Sequence, residues 1–251
     1  MANWKTSEAG ILVNSENGLV TITIDRPECQ NGINWEAFKA LSEAYERIAA
    51  DPDIRLLVIT GTGDYFYTGG RVNASNPEDA ELYSKYLAAN TAAKMKVHIP
   101  VIAAINGDCI KGGMRYVTES DICIAKSTAR FSLPELRMGG VPVVVMAAMM
   151  DVPKKLMFKL MYSADYVSAQ EIYENGLLTE VASEEDFEKT VRKYVDMILE
   201  KPANLTQMTR DLWYSMIDMP DAKSRLEYAS TVFTSGKAIK EMSKVKQEYR
   251  L

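Results

Sequence analysis

Three short runs, Leu56–Thr60, Val101–Ile105 and Asp121–Ala125, are apolar almost throughout and are separated by stretches of helical length rather than by tight turns. Apolar side chains at successive positions require a strand buried on both faces, and strands joined through helical crossovers pair in parallel. The chain is therefore expected to form an α/β domain around a buried, mainly parallel sheet. Its 251 residues, 47% of them hydrophobic, supply a core without help from staples.

Upstream of these runs, Gly10–Asn14 and Leu19–Ile24 read as strands around Glu16-Asn17-Gly18, whose residues suit the positive φ of a hairpin turn. Trp35 to Ala50 carries Phe38, Leu41, Tyr45 and Ile48 at helical spacing behind Asn34, a capping residue. A polar helix is expected from about Glu78 to Val97. From Val143 onward the pattern is nearly all helical: Val143–Met150, Pro153–Met161, Ser168–Glu174, Glu184–Glu200, Pro202–Ile217, a segment around Leu226, and Ala238–Tyr249.

Charge and special residues exclude several functions. A formal charge of −5 without a sustained basic stripe argues against a nucleic-acid partner. No uncharged apolar run approaches the ~18 residues of a membrane span, and MANWKTSEAG lacks a basic segment leading into an apolar one, so no membrane partner and a cytoplasmic location are expected. Cys29, Cys109 and Cys123 are odd in number and lack C-x-x-C spacing, which fits a reducing compartment better than disulfides or zinc. With His98 the single histidine, neither a Ser-His-Asp triad nor a multi-histidine metal site is expected.

Two stretches place glycine pairs directly after an apolar strand: Tyr65-Phe66-Tyr67-Thr68-Gly69-Gly70-Arg71, and Asn106-Gly107-Asp108-Cys109-Ile110-Lys111-Gly112-Gly113-Met114. Glycine lets the main chain approach a ligand, and a Gly-Gly pair opening a helix leaves N–H donors unpaired at the positive end of the dipole. In outline that is an oxyanion hole.

With their surroundings these stretches resemble the crotonase (enoyl-CoA hydratase/isomerase) superfamily. In that family a strand ending V-I-T-G is followed by F-x-A-G-A-D, and a later P-V-I-A-A-I-N-G by x-x-x-G-G-G. Here stand Val58-Ile59-Thr60-Gly61, Phe66 through Arg71, and Pro100 through Gly107 followed by Lys111-Gly112-Gly113. Asp25-Arg26-Pro27 with Asn31, Phe131-Ser132-Leu133-Pro134-Glu135, Val141-Pro142, and Ser168-Ala169-Gln170 to Gly176-Leu177 extend the likeness over essentially the whole chain.

The resemblance implies a crotonase-like (ClpP/crotonase) α/β core, a superhelix of ββα turns, over residues 1–195, and a helical trimerisation region over 196–251. It implies a homotrimer or hexamer, an acyl-CoA or acyl-carrier thioester as partner, and no cofactor beyond the coenzyme A of the substrate. By the same carry-over, the N–H groups of Gly70 and Gly112 hold the thioester oxygen. Arg26, Gly69, Arg71, Val72 and Gly113, with carboxyl-terminal lysines such as Lys237, are implied for the coenzyme A and substrate.

The family's hydratases carry two glutamates, one three residues after the oxyanion glycine and one in the later P-E pair. The second matches Glu135; the first position holds Arg115. Arginine stays protonated and cannot act as a general base, so two-carboxylate hydration is not expected. One carboxylate suffices for the Δ3,Δ2-enoyl-CoA isomerase reaction, in which Glu135 moves a proton from C2 to C4. Alternatively Glu135 is salt-bridged to Arg115 or Arg137, and Arg115 beside it would lower its pKa.

Arg115 has a second reading, as a fork for a substrate carboxylate in a decarboxylase, hydrolase or other lyase. Lys111, Arg71, Tyr83 and Lys85 are candidates for the same polar pocket. A third reading is a catalytically silent thioester-binding subunit. Val143-Val144-Val145 stands where many members have glycines, so Val143 is expected to narrow the acyl pocket. The cluster Met146, Met149, Met150, Met157 and Met161 reads as core, subunit interface or pocket wall.

Overall fold

The computed structural model describes residues 3–71, 81–82, 97–150 and 152–248. A seven-stranded sheet runs, side by side in this order, through Trp4–Glu8 (β1), Ile11–Glu16 (β2), Leu19–Ile24 (β3), Leu56–Gly61 (β4), Val101–Ile105 (β6), Ile122–Lys126 (β8) and Glu180–Ala182 (β11). The first three strands are antiparallel, and from β3 onward neighbours are parallel. A four-stranded sheet is built from Tyr65–Tyr67 (β5), Asp108–Ile110 (β7), Arg130–Ser132 (β9) and Val167–Ser168 (β10), in the order β10-β9-β7-β5.

The expected hairpin turns through Asn17 and Gly18 at φ 53° and 83°. Strands β4 and β6 are buried on both faces because each side of the sheet meets its own core. Leu57, Ile59, Ala103 and Ile105 pack in one cluster with Phe38, Leu41 and Tyr45 of Trp35–Ala50 (α1). Leu56, Val58, Ile102 and Ala104 pack in the other with Phe187, Val191 and Val195. Each large side chain so buried contributes about 1.5–3 kcal/mol. Helix α1 starts where expected, with Asn34 Oδ1 accepting from the Ala37 N–H at 3.2 Å.

The later helices are Met114–Glu119 (α2), Val143–Ala148 (α3), Lys154–Ser163 (α4), Ala169–Glu174 (α5), Phe187–Leu199 (α6), Ala203–Met216 (α7), Ala222–Thr234 (α8) and Gly236–Glu248 (α9). Met149, Met157 and Met161 are core, whereas Met150 is exposed. The helix expected over 78–97 lies largely outside the described residues. A boundary between 195 and 196 runs through α6, whose Val195 packs in the sheet's core.

Helix α7 is fastened to the sheet by Asp121. Its carboxylate accepts from Arg210 Nε at 2.7 Å, from the Tyr214 hydroxyl at 2.6 Å and from the Val101 N–H at 2.8 Å. Arg210 is buried and also donates to the Val97 carbonyl at 2.8 Å.

Candidate active site

Each of β4, β6 and β8 in the large sheet is followed by a short strand of the small one, β5, β7 and β9 respectively. These three run parallel, with Tyr67 paired to Cys109 and Cys109 to Phe131. Their chains therefore leave the sheet at one edge: Thr68-Gly69-Gly70 after β5, Lys111-Gly112-Gly113 after β7, Leu133-Pro134-Glu135 after β9. Adjacent strand ends lie only about 5 Å apart. Ligands of parallel sheets bind beyond such carboxyl ends.

At both glycine loops the residue before the expected donor is left-handed, Gly69 at φ +91° and Lys111 at φ +52°. The Ile33 N–H donates to the Gly69 carbonyl at 3.2 Å and the Arg71 N–H to the Ile33 carbonyl at 2.7 Å. That parallel bridge turns the intervening Gly70 N–H away from Ile33. Gly112 lies in the first turn of the 3-10 helix Lys111–Gly113, where N–H groups have no partner within the helix. The two loops touch: a Cβ on Gly69 would lie 2.8 Å from Lys111 Cβ and 3.4 Å from Gly112 N. The structure thus brings Gly69, Gly70, Lys111 and Gly112 together.

Two asparagines hold these loops in place. Buried Asn31 donates to the Thr62 and Tyr65 carbonyls at 2.9 and 2.5 Å and accepts from the Arg26 N–H at 2.9 Å. Asn106 accepts from the Gly61 N–H at 2.9 Å and donates to the Gly63 carbonyl at 2.8 Å. Gly107 and Gly113 are required sterically, since a Cβ would fall 2.1 Å from the Asp64 oxygen and 2.3 Å from the Tyr67 oxygen.

Glu135 departs from one expectation. Neither arginine proposed as its salt-bridge partner reaches it. Arg115 is buried and grips Glu119, one helical turn on, with Nε and Nη2 at 3.1 and 2.9 Å from Oε1 and Nη2 at 3.1 Å from Oε2. Arg137 pairs with Asp165 at 2.5 Å. Glu135 Oε2 is buried without a hydrogen-bond partner. Burial raises the Glu135 pKa above 4.5, opposed by its own backbone N–H and by the charge of Lys111. The lowered pKa expected from Arg115 is thus corrected, and the cation that acts on Glu135 is Lys111. Burial in turn lowers the Lys111 pKa, with Arg71 adding to the shift and Glu135 opposing it.

Arg26 spends its guanidinium on the carbonyls of Gly32 and Ala9 at 3.0 and 2.7 Å. Arg71 donates to the Cys29 carbonyl at 2.8 Å and stays exposed. The Arg71 side chain packs against Gly32, and that of Arg26 against Gly10. On α3 the Val143 side chain is 64% exposed, while Val145 is buried. Val72, Tyr83 and Lys85, and the side chain of Lys237, lie outside the described residues. His98 pairs with Asp211 on the surface at 3.1 Å.

Sequence reasoning missed Glu119, although an acidic residue four positions after Arg115 was a readable ion-pair signal. It also missed a buried hydroxyl pair behind the site, Tyr45 and Tyr116, 2.9 Å apart, and Tyr67, which packs edge-on against Tyr116 and whose hydroxyl lies 3.2 Å from a Cβ placed on Gly112.

Comparison with known proteins adds an independent line. A family model described as enoyl-CoA hydratase/isomerase matches residues 14–250. The chain is 29% identical over 209 residues to (E)-benzylidenesuccinyl-CoA hydratase of Thauera aromatica, covering 81% of this chain and 82% of that one. It is 26% identical over 213 residues to carnitinyl-CoA dehydratase of Salmonella enteritidis, covering 82% and 81%. In fold it is similar to a crystal structure of an enoyl-CoA hydratase of Mycobacterium smegmatis, with a TM-score of 0.83, 23% identity, and 98% and 96% of the two chains covered.

Proposed function

Because the chain belongs to the enoyl-CoA hydratase/isomerase (crotonase) family, we propose that it stabilises the enolate of an acyl-CoA thioester and moves its double bond from C3 to C2. The observation that carries this reading is the Glu135 carboxyl: one oxygen is buried and unpartnered, at the strand edge that also presents both glycine loops. A base with a raised pKa can both take a proton and give it back near neutral pH.

In this reading the Glu135 carboxylate removes a proton from C2 of a 3-enoyl thioester. The electron pair moves to the thioester oxygen, and the N–H groups of Gly70 and Gly112 hold the resulting dienolate. Each such donor is worth about 2.7–4 kcal/mol when charge develops. Glu135 then returns the proton at C4, leaving the double bond between C2 and C3. The reaction needs no cofactor beyond the coenzyme A of its substrate. Burial of Arg115 against Glu119 disfavours the alternative in which it grips a substrate carboxylate, since the fork is already filled.

The test is Glu135→Gln with 3-enoyl-CoA thioesters in deuterium oxide. It is expected to abolish both isomerisation and deuterium entry at C2 while thioester affinity changes little. Undiminished exchange at C2 would remove Glu135 from the reaction.

The helical carboxyl-terminal region is proposed to assemble trimers, alone or in pairs. Exposed Trp213, Leu226 and Phe233 on α7 and α8 support this.

A further inference from the structure

We propose that Lys111 is a second catalytic group of this site, and that with Glu135 it lets the chain add water across the C2–C3 bond of a 2-enoyl thioester and remove it again. The proposal rests on the enolate reading above and adds a role that Arg115 cannot fill.

Three observations on the geometry carry it. First, Lys111 occupies a left-handed backbone position, φ +52°, immediately before the oxyanion glycine Gly112. A non-glycine residue there costs about 1–3 kcal/mol, and such strain collects at functional sites. Second, its stem lies over Gly69, whose missing side chain makes the room: a Cβ there would sit 2.8 Å from Lys111 Cβ and 3.1 Å from its Cδ.

Third, among the described residues the Lys111 ammonium makes no ion pair and donates no hydrogen bond, and Glu135 Oε2 is orphaned as well. The two groups feel each other's charge without touching. An amine and a carboxyl that do not pair with each other can both hydrogen-bond one neutral molecule, and water is such a molecule.

Burial moves the two groups toward each other in pKa, lysine down and glutamate up. Buried lysines can serve as general bases for this reason. The step balances as follows. The neutral Lys111 amine takes a proton from water as the water oxygen bonds to C3. The C2–C3 π pair moves to the thioester oxygen on Gly70 and Gly112. Protonated Glu135 gives its proton to C2 as the enolate collapses. One proton then passes from Lys111 to Glu135 and restores both.

The experiment uses the full chain with crotonyl-CoA and 2-decenoyl-CoA as probes, in deuterium oxide, following hydration and C2 exchange separately. Lys111→Gly suits the left-handed backbone and should fold; Lys111→Arg keeps the charge but cannot give it up. Wild type is expected to hydrate. Both variants should lose hydration by about a hundredfold or more, with hydration falling at least roughly tenfold further than C2 exchange. The alkaline rise in hydration rate, set by Lys111 facing Glu135 and Arg71, should vanish. Hydration within about threefold of wild type in either variant overturns the proposal. So does a wild type that exchanges C2 protons but hydrates neither probe, and that result leaves the isomerase reading standing. A wild type that neither hydrates nor exchanges removes the enolate reading and this proposal with it.

Discussion

At the residue scale, Glu135, the proposed base, would tie catalysis to stability through one carboxyl. Its folded pKa lies above 4.5 because burial disfavours the charged form. A raised carboxyl pKa contributes stability only when protonated, so that contribution is complete below the unfolded value and is lost as pH rises through the folded one. Above its folded pKa the ionised carboxylate therefore works against the fold. Glu135→Gln should raise Tm by about 1–4 °C at pH 7, and the gain should shrink toward zero as melts are repeated below pH 4.5. A gain of equal size at both pH values would mean that the charge is not its source. Arg115 behaves oppositely. Removing it takes the bidentate partner from partly buried Glu119, so Arg115→Met should cost about 3–5 kcal/mol in denaturant unfolding. Its losses should fall alike on neutral and dicarboxylic thioesters, whereas selective loss of the dicarboxylic ones would restore Arg115 as a substrate-binding fork.

At the element scale, the two glycines after Lys111 make opposite demands. Gly113 sits where a Cβ would strike the Tyr67 carbonyl, part of a strand that cannot yield, while Gly112 faces the end of the Tyr67 side chain at 3.2 Å. Gly113→Ala is expected to lower stability by about 2–4 kcal/mol. Gly112→Ala should fold with a loss under about 1.5 kcal/mol and show its effect in rate, because a methyl beside the donor displaces Tyr67. Thermal melts of the pair check this. The same loops explain what was readable in the sequence. Strands β3, β4 and β6 and helix α1 have enough residues to display burial on one face or two. Strands β5, β7, β9 and β10 are two or three residues long and carry no period. The small sheet stayed hidden for that reason. The glycine pairs were legible because close approach of main chains needs glycine. That Lys111, and not Arg115, acts on Glu135 was not, since it depends on three strand ends lying side by side.

At the scale of the whole molecule, the carboxyl-terminal helices are tied to the sheet through Asp121 and carry large exposed apolar side chains beyond it. Asp121 joins Arg210 and Tyr214 of α7 to the amino end of β6, and Arg210 is buried there. Breaking one side of such a pair takes the charged partner from the other. Asp121→Ala should therefore expose α7–α9 to hydrogen exchange before the sheet opens, and simultaneous exchange of sheet and helices would show a single cooperative unit instead. Beyond the anchor, Trp213 is 64% exposed, and Leu226 and Phe233 on α8 are comparably open to solvent. Large exposed apolar side chains are what the proposed assembly would cover. If Trp213 lies within that interface, its loss should cost about 2 kcal/mol or more of the association energy, which is roughly thirtyfold in each dissociation constant. Trp213→Glu adds an unpaired charge to that loss. In sedimentation at micromolar concentration the wild type should run as a trimer or hexamer and the variant as a single chain. Isomerase activity measured on the variant then separates two roles for assembly. If activity per chain persists, the site is complete within one subunit and assembly serves stability. If it falls with dissociation while the Tm of the core is unchanged, a neighbouring subunit contributes to thioester binding.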